Sequence, residues 1–385
     1  MRIGFTSDYF HPQNVGGAER SALELAKALV SKGHEVVVYT RHVKGLPEEE
    51  EMGGIRIKRI FRHLARYTVR NDVVDQRKVD GREKETLVRA AEEDSVDILH
   101  SQNRDTATFT AMAGKELGIP AIAHIRDYWP VCPKRDLLGP EGICSRPENC
   151  ASCMARFYGS ALKKPFYARM EKDTLYRREV LKKARPFYLH ISDFSRNLLK
   201  LEPSRRIYNP VDTSAFRRGN EVPGKVLYIG SLARHKGVGI LAEAVAKAGL
   251  ELHIIGDGPM RKGLETRAVL HGRLEYRKMA EELGSAEMLV VPSLWNEPFG
   301  RVVIEGMAAG KPVIVSRRGA LPEVGGDAVI SVEPAVEALS SAISKLHSEP
   351  DMRREIGSLG IARAGEFRPE RIAEEVMGLY REIRD

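Results

Sequence analysis

The chain predicts an α/β protein of two domains, each built on an open parallel sheet. Three observations carry that expectation. Short apolar runs that read as buried strands alternate with helical stripes along most of the 385 residues, the order from which parallel sheets are made. The alternation begins near Met1 and begins again near Lys225. Glycine-rich loops follow several strands, at the edge where such sheets hold ligands. The length allows two or three domains, each with a substantial core.

Composition narrows the class. The 42% hydrophobic content is ordinary for a soluble globular chain, and no run of about 18 apolar residues offers a membrane span. Residues 1–6 read as a strand, without the apolar core or cleavage site of a signal peptide, so a cytoplasmic location is expected. The net charge of +8 is uneven: residues 1–200 hold 35 Lys+Arg against 27 Asp+Glu, while residues 201–385 hold 26 of each. Nucleic acid, anionic lipid and phosphorylated substrates each explain such an excess, as does a plain solvated surface. No interleaved aromatic and basic RNA motif accompanies it. Three glutamines against 30% charged residues lean towards a thermophilic source.

In chain order, residues 3–7 form the first strand and residues 8–17 a long loop ending in Gly16-Gly17-Ala18-Glu19. Leu23, Ala26, Leu29 and Val30 stripe a helix that Gly33 stops, and residues 35–40 are the next strand. Gly16 and Gly17 let a backbone approach a ligand at the first strand's carboxyl end. Neither a Gly-x-Gly-x-x-Gly fingerprint nor a P-loop is present. Residues 55–60 form a further strand, and residues 61–90 show no clear pattern. Strands at 96–100 and 120–125 flank a helix over 106–117. The run His124-Ile125-Arg126-Asp127 closes a strand, so its polar groups emerge at a carboxyl edge, placed to position a substrate or to answer developing charge. A plain Arg126–Asp127 ion pair is the bland alternative.

All four cysteines, Cys132, Cys144, Cys150 and Cys153, fall within one glycine- and proline-containing loop. A single Cys-x-x-Cys is weaker than a double pair. The readings, in order, are a structural zinc stapling the loop, disulfides of the kind thermophile cytosol keeps, and unmodified thiols. Residues 156–185 carry ten Lys/Arg and three acids with apolar residues interleaved. A basic amphipathic helix lying on an anionic membrane has this composition, and so does a solvated surface helix. Residues 187–191 return to strand.

Residues 209–224 read as an interdomain linker. A second strand series starts at 225–230, and its loop 231–237 places Arg234 and Lys236 near a strand-to-helix turn, suited to a pyrophosphate. Leu241, Ala244, Val245 and Ala248 mark the helix that follows. Residues 252–255 are a strand ending in Gly256-Asp257-Gly258-Pro259; residues 268–272, 288–291 and 312–316 are further strands, with a helix over 276–283. The stretch 296–305 follows the apolar 288–291 run. Pro298 is expected at the first helical position, leaving the amides of Phe299, Gly300 and Arg301 at a helix start that attracts phosphate. Glu297 and Glu305 would flank that anion and accept from hydroxyl groups, which suggests ribose and sugar. Helices marked by Val336, Leu339, Ile343 and Leu346, and by Ile372, Val376, Leu379 and Ile383, complete the chain. Two domains of this kind leave a cleft between them, the usual place for small ligands.

With these residues in view, the chain resembles the glycosyltransferase family 4 enzymes of the GT-B fold over nearly its whole length. The markers are Gly16-Gly17-Ala18-Glu19, Asn209-Pro210-Val211-Asp212, Lys236-Gly237, Gly256-Asp257-Gly258-Pro259, and Glu297 with Glu305 as a Glu-x7-Glu pair. The resemblance implies two Rossmann-like domains facing across a cleft. Residues 1–208 would bind the acceptor and residues 209–365 the nucleotide-sugar donor, with a C-terminal helix of about 366–385 returning to the first domain. It implies transfer with retention of anomeric configuration, with no cofactor or metal for the transfer itself. Glu305 would hold the ribose and Glu297 the donor sugar. Pro298, Phe299, Gly300 and Arg301 would line sugar and phosphate, and Lys236 and Arg234 would neutralise the diphosphate. Gly16, Gly17, Gly256, Asp257 and Gly258 complete the expected donor contacts; His124, Arg126 and Asp127 join Lys236 and Glu297 as expected catalytic residues. Two places depart from the family pattern. Arg126-Asp127 stands where many relatives have His-Asp, with His124 two residues earlier, and Gly230-Ser231 stands where a Gly-Arg pair often opens the phosphate loop.

The expected function is therefore a hexosyltransferase acting from a UDP- or GDP-linked sugar onto a glycan or lipid-linked acceptor in polysaccharide biosynthesis. The expected place is the cytoplasm, at the inner membrane face, without nucleic acid as a partner. A nucleotide-sugar epimerase on the same fold and a basic nucleic-acid-binding protein are the alternatives.

Overall fold

The computed structural model describes residues 1–13, 16–64, 76–139, 142–144 and 149–385. The chain divides into two compact units, Met1–Pro210 with Pro369–Asp385, and Val211–Arg368. Parts of the 61–90 stretch and of the cysteine loop lie outside the described residues.

The first unit is built on strands β1 Arg2–Ser7, β2 Glu35–Arg41, β3 Glu49–Met52, β4 Ile55–Phe61, β5 Ile98–Ser101 and β6 Ala121–Ile125, the hairpin β7 Leu138–Gly139 and β8 Gly142–Ile143, and strands β9 Phe187–His190 and β10 Ser204–Arg206. Its helices are α1 Gly17–Ser31, α2 Gln76–Glu93, α3 Arg104–Leu117, α4 Cys150–Phe157, α5 Lys164–Ala184 and α6 Asp193–Leu199. The large sheet runs β10-β9-β6-β5-β1-β2-β4-β3, parallel except where β3 pairs antiparallel with β4. That pairing sets Glu49 opposite Lys58 and Glu51 opposite Arg56, which is why three consecutive glutamates enter a strand: their charges are matched across it. One core between sheet and helices contains Tyr39, Phe61, Leu87, Leu99 and Phe109, each side chain contributing roughly 1.5–3 kcal/mol by its burial.

The second unit has strands β11 Lys225–Ile229, β12 Glu251–Ile255, β13 Val269–Gly272, β14 Met288–Val291, β15 Val313–Ser316 and β16 Ile330–Val332. Helices α7 Val238–Lys247, α8 Tyr276–Ser285, α9 Arg301–Ala308, α10 Leu321–Gly325, α11 Val336–Ser348 and α12 Pro350–Ala364 cover them. The strand order β13-β12-β11-β14-β15-β16 is wholly parallel. It reverses between β11 and β14, the kind of switch point that opens a crevice at the carboxyl ends of an α/β sheet.

Several expectations need correction. The chain passes from one unit to the other between Pro210 and Val211, but most of 209–224 belongs to the second unit: Val211 and Phe216 are buried, the Val211 amide donates to Phe367 O at 2.8 Å, and Phe216 packs edge-on against Tyr276. The stretch beyond 346 forms α12, absent from the pattern reading because its buried face is Ile356, Gly357, Gly360 and Ala364. Small residues let it approach α9 closely, with the Gly360 position set against Met307, and they leave no apolar stripe. The last helix, α13 Pro369–Arg384, belongs to the first unit. Tyr380 on it is fully buried with its hydroxyl 2.6 Å from His100 Nδ1, and Glu374 meets Lys32, the C-cap of α1, at 2.5 Å.

Candidate functional site

In the second unit the two loops at the switch point meet. The loop after β11 carries Arg234, His235 and Lys236 in a single 3-10 turn, and the loop after β14 carries Ser293 to Gly300. Lys236 Nζ lies 2.6 Å from Glu297 Oε1, with 24% and 12% of the two side chains exposed. Ser293 Oγ donates to the same oxygen at 2.8 Å, and the ammonium lies over the Trp295 ring. The Leu294 amide donates to His235 O at 2.8 Å. The two sequence-predicted charges thus come together as an ion pair, although they are 61 residues apart.

Glycine makes this approach geometrically possible at two positions. Gly237 has φ +75° and a Cβ there would stand 1.9 Å from Pro292 O; Gly319 has φ +59° and a Cβ would stand 2.2 Å from Glu297 O. A side chain at either would push one loop off the other. Ala320 N donates to Glu297 O at 2.7 Å and Gly319 N to Asn296 Oδ1 at 3.2 Å, so the loop after β15 fixes the backbone under Glu297. The Gly256–Gly258 loop is laced to the loop after β11 through Leu232 N to Asp257 O at 3.0 Å. Asp257 itself is half-exposed, beside Arg261, and Arg234 is exposed.

The start of α9 differs from expectation. Pro298 is not its first residue: Gly300, at φ +104°, is the N-cap, and the helix begins at Arg301. A left-handed residue cannot continue a helical turn, so the Pro298–Gly300 segment stays outside it. The Val303 amide closes a tight turn onto Gly300 O at 2.9 Å. Phe299 is buried against Phe367. Glu305, on the second turn, is buried and accepts from Arg301 Nε at 3.0 Å.

The first unit offers a second polar edge. Arg126, just beyond β6, is buried; its Nη1 donates to Asn209 Oδ1 and its Nη2 to Gln102 Oε1, each at 2.7 Å. His124 is 2% exposed and sits between Arg126 and His100, its Nδ1 3.3 Å from Arg126 Nη2 and 3.1 Å from His100 Nε2. Burial, then the Arg126 charge, hold its pKa well below the usual imidazole range. Enclosed in this way, His124 lies directly against the Arg126 guanidinium. Asp127, 28% exposed, accepts from Trp129 N at 2.8 Å and faces Arg135 at 3.9 Å; desolvation pushes its pKa up to about 6 against the pull of Arg135. Asp8, at the carboxyl end of β1, is buried and pushed up to about 6, by burial first and Asp105 second, while Arg41 Nε donates to it at 2.8 Å. Asp8, Arg41 and Gln102 were missed by motif reading; the one sequence signal for Asp8 is its place directly after a buried strand. Gly16 and Gly17 begin α1 in this unit, Gly16 as its N-cap.

The four cysteines line one small cavity and are thiols in the structure. The Cys150 thiol is pushed up to about 12, by burial first and then by Glu171 and the other three cysteines. Elsewhere among the described residues, His253, His271 and Glu282 bring one ligating atom each within 4.8 Å of one another; Lys225 Nζ, 2.5 Å from Glu282, already supplies a cation there.

The family described as Glycosyltransferase Family 4 matches residues 15–215, and that described as Glycosyl transferases group 1 matches residues 214–363. An uncharacterized glycosyltransferase of Methanocaldococcus jannaschii is 30% identical over 210 residues, which cover 51% of this chain and 59% of that protein. The MMP α-(1→4)-mannosyltransferase of Mycolicibacterium hassiacum is 33% identical over 190 residues, 44% of this chain and 46% of the relative. The chain thus matches about half the length of these two relatives. Among solved structures, sucrose-phosphate synthase of Thermosynechococcus elongatus superposes with a TM-score of 0.75 at 21% identity, covering 99% of this chain and 98% of that one. Anabaena HepE in complex with UDP superposes at 0.70 with 17% identity, covering 99% and 100%. At such identities the likeness is one of fold, the GT-B fold of glycosyltransferases. One family description alone takes in more than half of the sequence, and the chain belongs to Glycosyltransferase Family 4, a family of transferase enzymes.

Proposed function

We propose that the protein transfers a hexose, with retention of configuration, from a UDP- or GDP-linked sugar to a glycan or lipid-linked acceptor. The observation that carries this reading is the Lys236–Glu297 pair at the switch point of the second sheet, with Glu305 on the adjoining helix. Breaking the bond between sugar and diphosphate builds negative charge on phosphate and positive charge on the sugar ring. Lys236 and the start of α9 would answer the first; Glu297 would answer the second. Exposed Arg234 would add to the phosphate side, and Glu305 would accept from the ribose hydroxyls. Arg126 and Asp127, at the edge of the first sheet, would serve the acceptor. The relatives support the donor class: HepE has been solved with UDP and with UDP-glucose, and the M. hassiacum relative is a mannosyltransferase. Lys236→Ala and Glu305→Ala are each expected to lower transfer and donor hydrolysis by about 10²–10³ while the fold survives; unchanged turnover in both would end the proposal. Incubation with donor alone separates transfer from epimerisation, since only an epimerase would interconvert the sugar without an acceptor.

The acceptor's lipid link gains support from α5 and the segment before it. No helix among the described residues is long and apolar enough to cross a membrane, yet Leu162 is 96% exposed and Phe157, Tyr158, Phe166 and Leu175 are exposed with it. Exposed lysines and arginines surround them; Arg177 is the exception, buried and bound to Asp173. Apolar groups fringed by cations fit an anionic bilayer surface. Flotation with anionic but not with neutral liposomes is expected, and equal behaviour with both would remove the membrane from the proposal.

A further inference from the structure

The cysteine loop lies outside the chemistry above, and its construction points to a ligand of its own. Cys132 follows the turn that leaves the Asp127 edge, Cys144 follows the β7–β8 hairpin, and Cys150 and Cys153 open α4. Three separate elements therefore deliver sulfur to one cavity of about 20 Å³. That volume suits a single atom-sized guest, since one water needs about 10–15 Å³ on the same scale. Each carrier is anchored by its backbone. The Cys132 amide donates to Tyr128 O at 2.9 Å, Cys144 to Leu137 O at 2.6 Å and Cys153 to Asn149 O at 3.1 Å. Glu171 on α5 accepts from the Cys150 and Ala151 amides at 3.1 and 2.9 Å.

We propose that Cys132, Cys144, Cys150 and Cys153 form a structural tetrathiolate zinc site that ties the loop behind Asp127 to α4. Four sulfurs, with the Asp136 carboxylate beside Cys132 Sγ at 3.9 Å and no histidine among the lining residues, select a soft, tetrahedral cation. Zinc would draw the sulfurs inwards to about 2.3 Å from a shared centre; among the described residues the sulfurs are not already gathered within 4.8 Å as the ligand atoms of the His253 group are. Uptake of Zn²⁺ releases the four thiol protons to solvent and leaves a centre of net charge −2. Lys134 answers that charge. It lines the same cavity, its side chain is 2% exposed, and its ammonium is held 3.0 Å from Asp136 and stacked on the Phe157 ring.

The test uses the full chain, reduced and freed of metal by a chelator, then titrated with Zn²⁺. One zinc per chain, four protons released in unbuffered solution, and loss of thiol reactivity are expected. Co²⁺ should give the strong thiolate charge-transfer and d–d bands of a tetrahedral tetrathiolate centre. This readout on the unmutated protein needs no variant that folds. Cys150→Ser and Cys153→Ser should each lower zinc affinity at least tenfold, and His271→Ala should not. No metal uptake by the reduced chain overturns the proposal. So do disulfides by mass in protein purified without reductant, an iron chromophore in place of zinc, or zinc retained by both serine variants and lost in His271→Ala.

Discussion

Replacing Glu297 by glutamine separates the two partners of the switch-point ion pair. At 2.6 Å and an effective dielectric of about 20, the raw attraction is ~6 kcal/mol. Desolvation and the partial exposure of both side chains reduce this. Exposed pairs are worth about 0–1 kcal/mol and breaking a buried one costs about 3–5, so a pair exposed to 24% and 12% falls at roughly 1–3 kcal/mol. Lys236 is paired with Glu297, and a diphosphate binding at Lys236 would compete with that carboxylate. Glu297→Gln keeps an acceptor for Ser293 and removes the competing charge. A nucleoside diphosphate should then bind more tightly, by roughly 5- to 150-fold if the whole 1–3 kcal/mol returns, while kcat falls because the sugar loses its carboxylate. Lys236→Ala should do the reverse: weaker nucleotide, and kcat/KM down by about 10²–10³, the effect of removing one preorganised charge contact. Calorimetric titration of UDP and GDP, with steady-state kinetics on the sugar donor, reads both arms. Weaker nucleotide binding in Glu297→Gln, or wild-type kcat/KM in Lys236→Ala, would refute the competition argument.

Three further outcomes follow from the same geometry. Asp8 and Asp127 carry folded-state pKa values raised to about 6 from 3.8, so the folded chain holds their protons more tightly than the unfolded chain. The stability contributed by these two groups should be fully present below about pH 4 and be lost as pH rises through about 6, up to ~3 kcal/mol per group; urea unfolding across that window should show a shallower pH dependence for Asp8→Asn than for the wild type by the Asp8 share. Gly237→Ala must strain a φ of +75° and move Pro292, so a loss of at least about 1–2 kcal/mol in stability with weakened nucleotide binding is expected by denaturation and calorimetry. Arg126→Lys loses the fork that spans Asn209 and Gln102, and acceptor KM should rise with donor affinity unchanged.

What was legible in the sequence, and what was not, follows from where each interaction lies along the chain. Strands such as β1 and β14 are legible because every residue of Met288–Val291 is buried and buried parallel strands are written as unbroken apolar runs. The helix stripes of α1, α11 and α13 are legible for the same reason. Elements stabilised by something other than an apolar face are not: β3 rests on charge pairs across a hairpin, α12 on glycine contacts, and α2 buries Asp80 and Glu83 within a polar stretch. The site residues were marked by loops at strand ends, but which of them touch was not, because Lys236 and Glu297, or Asp8 and Arg41, meet through the order of strands in a sheet. That order changes the chemistry expected of them. Read singly, Lys236, Arg126, Glu297 and Glu305 are charges waiting for a ligand; in the fold Lys236 holds Glu297, Arg301 holds Glu305, and Arg126 grips two amides. In the proposed function a donor at Lys236 and Glu305 would have to displace internal partners, and its affinity would be a difference between two sets of ion pairs. On the proposed function, a diphosphate, with more charge to set against the lost carboxylate contact and the desolvation, should bind more tightly than a monophosphate or a neutral sugar.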